Sequence, residues 1–196
     1  MKKSLPVVLL VILVIVVLPA LLLLGSYNRL VQLDEAVQSA WGQVENVYQR
    51  RADLIPNLVE TVKGARDFEQ ETLTQVVEAR ARATGVSFRQ APSAEQMAQF
   101  EAAQGELSSA LSRLLVVVEN YPELKATQNF RDLQVQLEGT ENRIAVERKR
   151  YNDAVRELNT ARRQFPAVFV ARLFNIGEKA YFKAEEGAER PPQVQF

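Results

Sequence analysis

The sequence predicts an all-α protein, an N-terminal transmembrane helix followed by an elongated antiparallel bundle of long helices. Three observations predict it: an uncharged apolar run at residues 5–24, apolar residues recurring at three- and four-residue intervals through the rest of the chain, and hardly any alternating strand pattern. They divide the 196 residues into a cytoplasmic tip and anchor at 1–25, a bundle with a short C-terminal cap at 26–182, and a tail at 183–196. The tail ends "RPPQVQF" and is expected to be disordered.

The apolar run "LPVVLLVILVIVVLPALLLL" has 20 residues and no charge, about the number a helix needs to cross roughly 30 Å of hydrocarbon. A cleaved signal peptide has a shorter core of about 7 to 15 apolar residues followed by small residues placed for cleavage. "LGSYNRL" is a poor cleavage site, so a retained anchor in the lipid bilayer is expected. Lys2 and Lys3 lie before the run and only Arg29 lies close behind it. Positive charge stays inside, which favours a single pass with the N-terminus in the cytoplasm and the bundle on the extracytoplasmic side. Translocation of the short N-terminal tail is the other orientation.

Beyond Gly25 the helices follow from spacing. Tyr27, Leu30, Val37, Trp41, Val44 and Tyr48 fill all but one place of a three-four template, the exception being Asp34, and this helix can run on directly from the anchor. Arg50 to Arg82 continue helical, with Leu58, Val62, Leu73 and Val76 on the buried face. Gly85 and Pro92 then break the pattern. "SAEQ" offers Ser93 as N-cap with Gln96 three residues later, the capping-box arrangement that satisfies free backbone donors. Met97, Phe100, Leu107, Leu111, Leu114 and Val118 form the next stripe, interrupted by Gln104. After the Pro-containing connection "ENYPELKATQ", the stripe from Phe130 through Leu133, Leu137, Thr140, Ile144, Glu147, Tyr151, Ala154, Leu158 and Ala161 to Phe165 is apolar except at Thr140 and Glu147. In the segment after Phe165, the residues Phe169, Val170, Leu173 and Phe174 make a short apolar surface. It can cover a bundle end, meet a neighbouring subunit or lie in a membrane interface, and capping the bundle is the expectation.

Composition closes many functions. There is no cysteine and no histidine, which removes disulfides, thiol nucleophiles, Cys/His zinc sites and every catalytic arrangement built on imidazole. Twenty-four basic residues balance 24 acidic ones, so no cationic surplus points to nucleic acid. No glycine-rich loop follows a strand, and no cofactor is expected.

Two stretches concentrate polar residues on otherwise apolar helices. In "RRADLIPNLVETV", Asp53 is placed to cap a new helix turn and Pro56 falls in that first turn, so the stretch reads as a junction between two helices; a kink in one continuous helix is the alternative. In "LEGTENRIAVERKRYNDA", Glu138 and Glu141 share a helix face and precede Asn142 and Arg143. Paired carboxylates can hold metal, but di-iron bundles also need histidine and oxygen-only sites favour loops. The preferred reading is a polar network that sets helix register. Arg51, Asp53 and Asn57 are then candidates to pair across the bundle with Glu138, Glu141, Asn142 or Arg143, and Asp53→Ala is expected to cost stability or assembly. Trp41 is expected in the core or a helix interface, and "ERKRY" on a solvated face.

"SYNRLVQLDEAVQSAW", "RRADLIPNLVETVKG", "YPELKATQNFRDLQVQLEGTENRIAVERKRYNDAV", "FP" at Phe165 and Pro166, and "YF" at Tyr181 and Phe182 resemble the LemA family of bacterial membrane-anchored proteins. The resemblance covers about Ser26 to Phe182 and brings Tyr151 and Asn152 into the set of structural and recognition residues. It implies a transmembrane helix followed by a long-helix bundle, no established enzymatic activity and no catalytic residue to carry over. Family genes often neighbour those of membrane proteases and envelope-stress functions, which implies a quality-control or scaffold role. The expected function is a non-enzymatic envelope scaffold or adaptor that self-associates as a homo-oligomer and meets other membrane or envelope proteins, a membrane protease among them. The alternative is a ligand-sensing bundle signalling through a membrane partner.

Overall fold

The computed structural model describes residues 4–64 and 68–183, where six helices and no strand occur. These are α1 (Ser4–Lys63), α2 (Gln70–Gly85), α3 (Ala94–Val118), α4 (Pro122–Lys125), α5 (Gln128–Ala161) and α6 (Ala167–Leu173). The first helix does run on directly from the apolar run. Among the described residues no helix is long and apolar enough to cross a membrane, so the transmembrane reading of residues 5–24 draws no support from the fold. The side chains of residues 1–16 and 19, most of that run, lie outside the described part, as does the tail at 184–196.

The chain separates into two compact units, each assembled from segments distant in sequence. The first comprises Met1–Tyr48, Phe88–Ala91 and Arg143–Lys179; the second comprises Gln49–Ser87, Pro92–Asn142 and Ala180–Phe196. Both α1 and α5 therefore contribute to each.

In the second unit, residues 49–63 of α1 pack with α2, α3, α4 and residues 128–142 of α5. Ile55, Leu58, Val62, Leu73, Val76, Leu107, Leu114 and Phe130 are buried in one continuous core. Each large apolar side chain so buried contributes about 1.5–3 kcal/mol. Exposed ion pairs such as Arg82 to Glu106, at 2.7 Å, contribute less than about 1 kcal/mol each, so the apolar stripes decide the fold. Contacts of Arg82 with Glu106 and of Arg113 with Gln75 fix α2 and α3 as antiparallel neighbours. The expected capping box opens α3: Ser93 Oγ accepts the Gln96 N–H, and Gln96 Oε1 accepts the Ser93 N–H at 2.9 Å.

Two expectations need correction. Residues 50–82 are not one helix: α1 ends at Lys63 and α2 begins at Gln70. Lys63 followed by Gly64 is a basic last turn and a glycine stop, the signal that reading missed. Nor does Asp53 cap a new helix at Pro56, because α1 continues through both. Asp53 is exposed and accepts a hydrogen bond from Gln49 Nε2 at 2.8 Å on its own helix.

Proline inside a helix removes the amide that would bond the carbonyl four residues earlier, at a cost of about 3 kcal/mol or more. For Pro56 that carbonyl belongs to Ala52, which is 3% exposed and so shut off from water. Arg80 of α2 supplies the missing donor, its Nε bonding Ala52 O at 2.7 Å. A neighbouring helix thereby completes the hydrogen-bond ladder that proline interrupts.

In the first unit, α1 buries Leu30, Val37, Trp41 and Val44, and α5 buries Tyr151, Val155 and Leu158. Trp41 and Tyr151 meet edge to face, with ring centroids 5.7 Å apart. The α5 stripe ends sooner than expected, since the helix stops at Ala161 and Phe165 lies beyond it, 81% exposed. Of the expected cap, Val170 and Ala171 are buried, whereas Phe169, Leu173 and Phe174 are exposed. Asn175 closes α6 with φ 54°, a left-handed conformation that its short polar side chain tolerates, and Ile176 N–H returns to Ala171 O at 2.9 Å.

Substituting Arg80→Met strands Ala52 O and lowers stability by about 1–3 kcal/mol. Adding Pro56→Ala restores the helical donor. The double variant therefore recovers much of the loss, a coupling of about 1 kcal/mol readable in thermal melts of the four cycle members in detergent; additive losses count against the ladder repair.

Candidate functional site

Arg51 is the most buried charged side chain described, at 1% exposure. A cation taken out of water costs several kcal/mol unless acceptors replace the lost hydration. Its Nη1 donates to Ser108 Oγ at 2.9 Å and to Glu141 Oε1 at 2.8 Å, and its Nη2 donates to Gln104 Oε1 at 2.6 Å. Gln104, itself buried, passes the connection on through Nε2 to Ala83 O at 3.4 Å, one of the free carbonyls in the last turn of α2. One guanidinium thus gathers groups from α3 and α5 directly and from α2 through an amide.

Only part of the sequence-derived set converges on this cluster. Arg51 and Glu141 pair as expected. Asp53, Pro56 and Asn57 are exposed on α1, and the Asn57 carbonyl accepts from Thr61 Oγ1 at 2.8 Å. Glu138 is exposed and takes a hydrogen bond from Gln134 Nε2 at 3.0 Å on its own helix, so it does not join Glu141. Asn142 is exposed in the second unit, and Arg143 is exposed in the first. Gln104, Ser108 and Arg80 escaped the sequence reading. Gln104 had a signal, since it was the polar interruption of the α3 stripe; Ser108 and Arg80 had none.

The arrangement is poor in reactivity. Ser108 directs its own proton to Gln104 O at 3.1 Å, a backbone carbonyl that cannot serve as a base. Glu141 is half-exposed and bound to Arg51. Among the described residues no three Asp or Glu side chains gather as a metal site.

A second polar cluster, in the first unit, surrounds Trp41. The indole Nε1 donates to Phe88 O at 3.0 Å, while Phe88 N–H donates to Glu45 Oε1 at 3.2 Å and Ala91 N–H donates to Gln38 Oε1 at 2.7 Å. Residues 88–91 are thereby strapped along α1 by side chains in place of a sheet or helix partner. Burial raises the Glu45 carboxyl above its ordinary 4.5, opposed by its bonds to the Phe88 amide and the Trp41 side chain. Burial likewise pushes the Tyr151 phenol well above its usual range, which keeps it neutral and unfit as a base. Asn152 is half-buried beside it in sequence.

The profile of the LemA family matches residues 40–196. This chain belongs to the LemA family. It is similar to Protein LemA of Metamycoplasma hominis, 22% identical over 162 residues that cover 83% of this chain and 71% of the relative. It is also similar to Magnetosome protein MamQ of Magnetospirillum gryphiswaldense, 24% identical over 193 residues covering 88% and 71% of the two chains. Magnetosome protein MamQ 2 of Paramagnetospirillum magneticum is 24% identical over 188 residues, covering 86% of this chain and 69% of the relative. None of these names denotes a reaction. The LemA match opens one residue before Trp41 and takes in the Arg51 cluster and all of the Trp41 cluster except Gln38.

Removing the Arg51 charge from this LemA-family chain should cost far more than removing its partner. Arg51→Met, which strands the Gln104 amide and Ser108, is expected to lose about 2–4 kcal/mol, whereas Glu141→Gln, in a half-exposed pair, loses about 1 kcal/mol or less. Asp53→Ala, exposed and bonded only to a one-turn neighbour in this network, stays within about 0.5 kcal/mol; thermal unfolding in detergent ranks the three.

Glu45 gives a pH signature. Its folded pKa lies above the unfolded value of 4.5, so its contribution to stability is fully present below that value and is lost as pH rises through the folded pKa. Glu45→Gln keeps an acceptor for Phe88 N–H without the charge. Melts taken from pH 4 upward, roughly one unit apart, should show the native chain losing stability relative to the variant just above the ordinary carboxylate pKa; parallel curves refute it.

Proposed function

We propose that the chain is a non-enzymatic, membrane-anchored helical scaffold or adaptor of the bacterial cell envelope, serving membrane-protein quality control or the envelope-stress response. Residues 5–24 anchor it in the cytoplasmic membrane with the helical units on the extracytoplasmic side, and it self-associates and holds membrane or envelope proteins, a membrane protease among them. The observation that carries this reading is the Arg51 cluster: the most buried charge is engaged by Gln104, Ser108 and Glu141 of its own chain. Arg51 and Glu141, two of the polar residues that stand out on apolar helices in the sequence, are engaged in holding helices together.

The test joins mass and topology. The intact protein in detergent is expected to give the mass of an oligomer in light scattering, and a C-terminal reporter that matures only outside the cytoplasm is expected to be active. A strict monomer at high concentration overturns self-association, and a reporter active only in the cytoplasm overturns the orientation.

One observation favours the ligand-sensing alternative. A cavity of about 700 Å³ opens in the second unit beside Thr61, Asn120, Tyr121, Thr127 and Asn129, within the size range of small-molecule sites. Filling it with Thr127→Trp leaves oligomer mass and the set of proteins marked by proximity labelling from the chain in living cells unchanged under the scaffold reading, and alters the marked set under the sensor reading.

A further inference from the structure

The face that α6 leaves outside its unit carries larger apolar side chains than the face it buries. Val170 and Ala171 point inward, while Phe169 is 58% exposed and Leu173 is 79% exposed, one helical turn apart on one side. Phe165 continues that side and meets Phe169 edge to face at 6.0 Å, and Phe174 ends it at 54% exposure. A surface of this kind marks an interaction site.

Its position identifies the occupant. The Phe174 ring lies 4.6 Å from the ring of Tyr27, centroid to centroid, within the first unit. Tyr27 follows the apolar run by three residues, about 4.5 Å of helix rise. The headgroup layer on each side of the hydrocarbon is about 5–7 Å thick. An anchor spanning residues 5–24 therefore sets Tyr27 and Phe174 in that layer, where aromatic side chains collect at membrane surfaces. Charge is compatible: Arg29, Arg163 and Arg172 are exposed in this unit, and of the acids nearest them Asp34 and Glu178 are bound to Lys179 and Arg162, which leaves Glu35 as the exposed acid beside the anchor.

We propose that α6 and its flanking aromatics, Phe165, Phe169, Leu173 and Phe174, lie in the lipid headgroup layer beside the anchor and seat the first unit on an anionic membrane surface. This rests on the membrane-anchor reading of residues 5–24. Amphipathic helices bind such surfaces through a buried apolar face with cationic neighbours. The occupant is lipid, not a second copy of the chain.

The absence of native cysteine allows single-cysteine labelling of the full chain. Phe169→Cys, Leu173→Cys, Leu21→Cys and Val146→Cys carry an environment-sensitive fluorophore in vesicles of phosphatidylcholine and phosphatidylglycerol with nitroxide lipids. Val146 is an exposed position on α5 before Tyr151, whose partner Trp41 lies roughly 25 Å of helix beyond Leu24. Labels at 169 and 173 are expected to lose most of their emission to a headgroup nitroxide, the label at 21, about 4.5 Å inside the end of the run, to a nitroxide high on the acyl chain, and the label at 146 to neither. Quenching at 21 with none at 169 and 173 overturns this proposal alone. No quenching at 21 overturns the anchor and the proposal with it. Blue-shifted but unquenched labels at 169 and 173 assign the face to a second copy and overturn lipid as the occupant.

Discussion

A guanidinium removed from water has to find acceptors along fixed directions, and the packing of the second unit follows from where Arg51 finds them. Hydrophobic stripes alone leave helices free to slide by a turn, because one apolar side chain replaces another at modest cost. The fork of Arg51 does not tolerate such a slip: Gln104 and Ser108 on α3 and Glu141 on α5 must arrive together. The apolar core, with Ile55, Leu107 and Leu114 fully buried, supplies most of the stability, and the charge selects one register from those the core permits.

The first unit solves a different problem with similar means. Segments that are neither helix nor strand must still satisfy their backbone groups. Gln38 and Glu45 accept the amides of Ala91 and Phe88. Asn159, 2% exposed, does the same at the other end of the unit, donating to Lys179 O at 2.9 Å and accepting Lys179 N–H at 3.1 Å, as a strand neighbour would. Carboxamides and carboxylates on regular helices thus act as docking points for irregular chain, and Glu45 bears a desolvation cost for that role.

Much of this was legible in the sequence, and the part that was not follows a pattern. The helices α3 and α5 announced themselves through apolar spacing, and Ser93 with Gln96 gave the start of α3 from local chemistry. The pairing of Arg51 with Glu141 was within reach because both stand out against apolar helices. Asp34 and Gln104 appeared only as interruptions of apolar stripes. In the folded chain they are the points at which Lys179 and Arg51 are received, at 2.7 and 2.6 Å. Partners such as Ser108, Arg80 and Asn159 look like ordinary surface residues until the fold brings distant segments together. The Asp53 and Pro56 junction misled because local cap and proline signals agreed on a helix start, and the tertiary bond that overrides them comes from α2.

That bond has a consequence for the order of assembly. The carbonyl of Ala52 is completed by Arg80, which is made 28 residues later. A nascent chain that has extruded the end of α1 but not α2 carries a proline-weakened stretch with no substitute donor from Arg80. The cost of continuing α1 across Pro56 is therefore offset when α2 docks. The segment carrying Arg51 is likewise made before either helix that receives its charge, since Gln104, Ser108 and Glu141 all lie later in the chain.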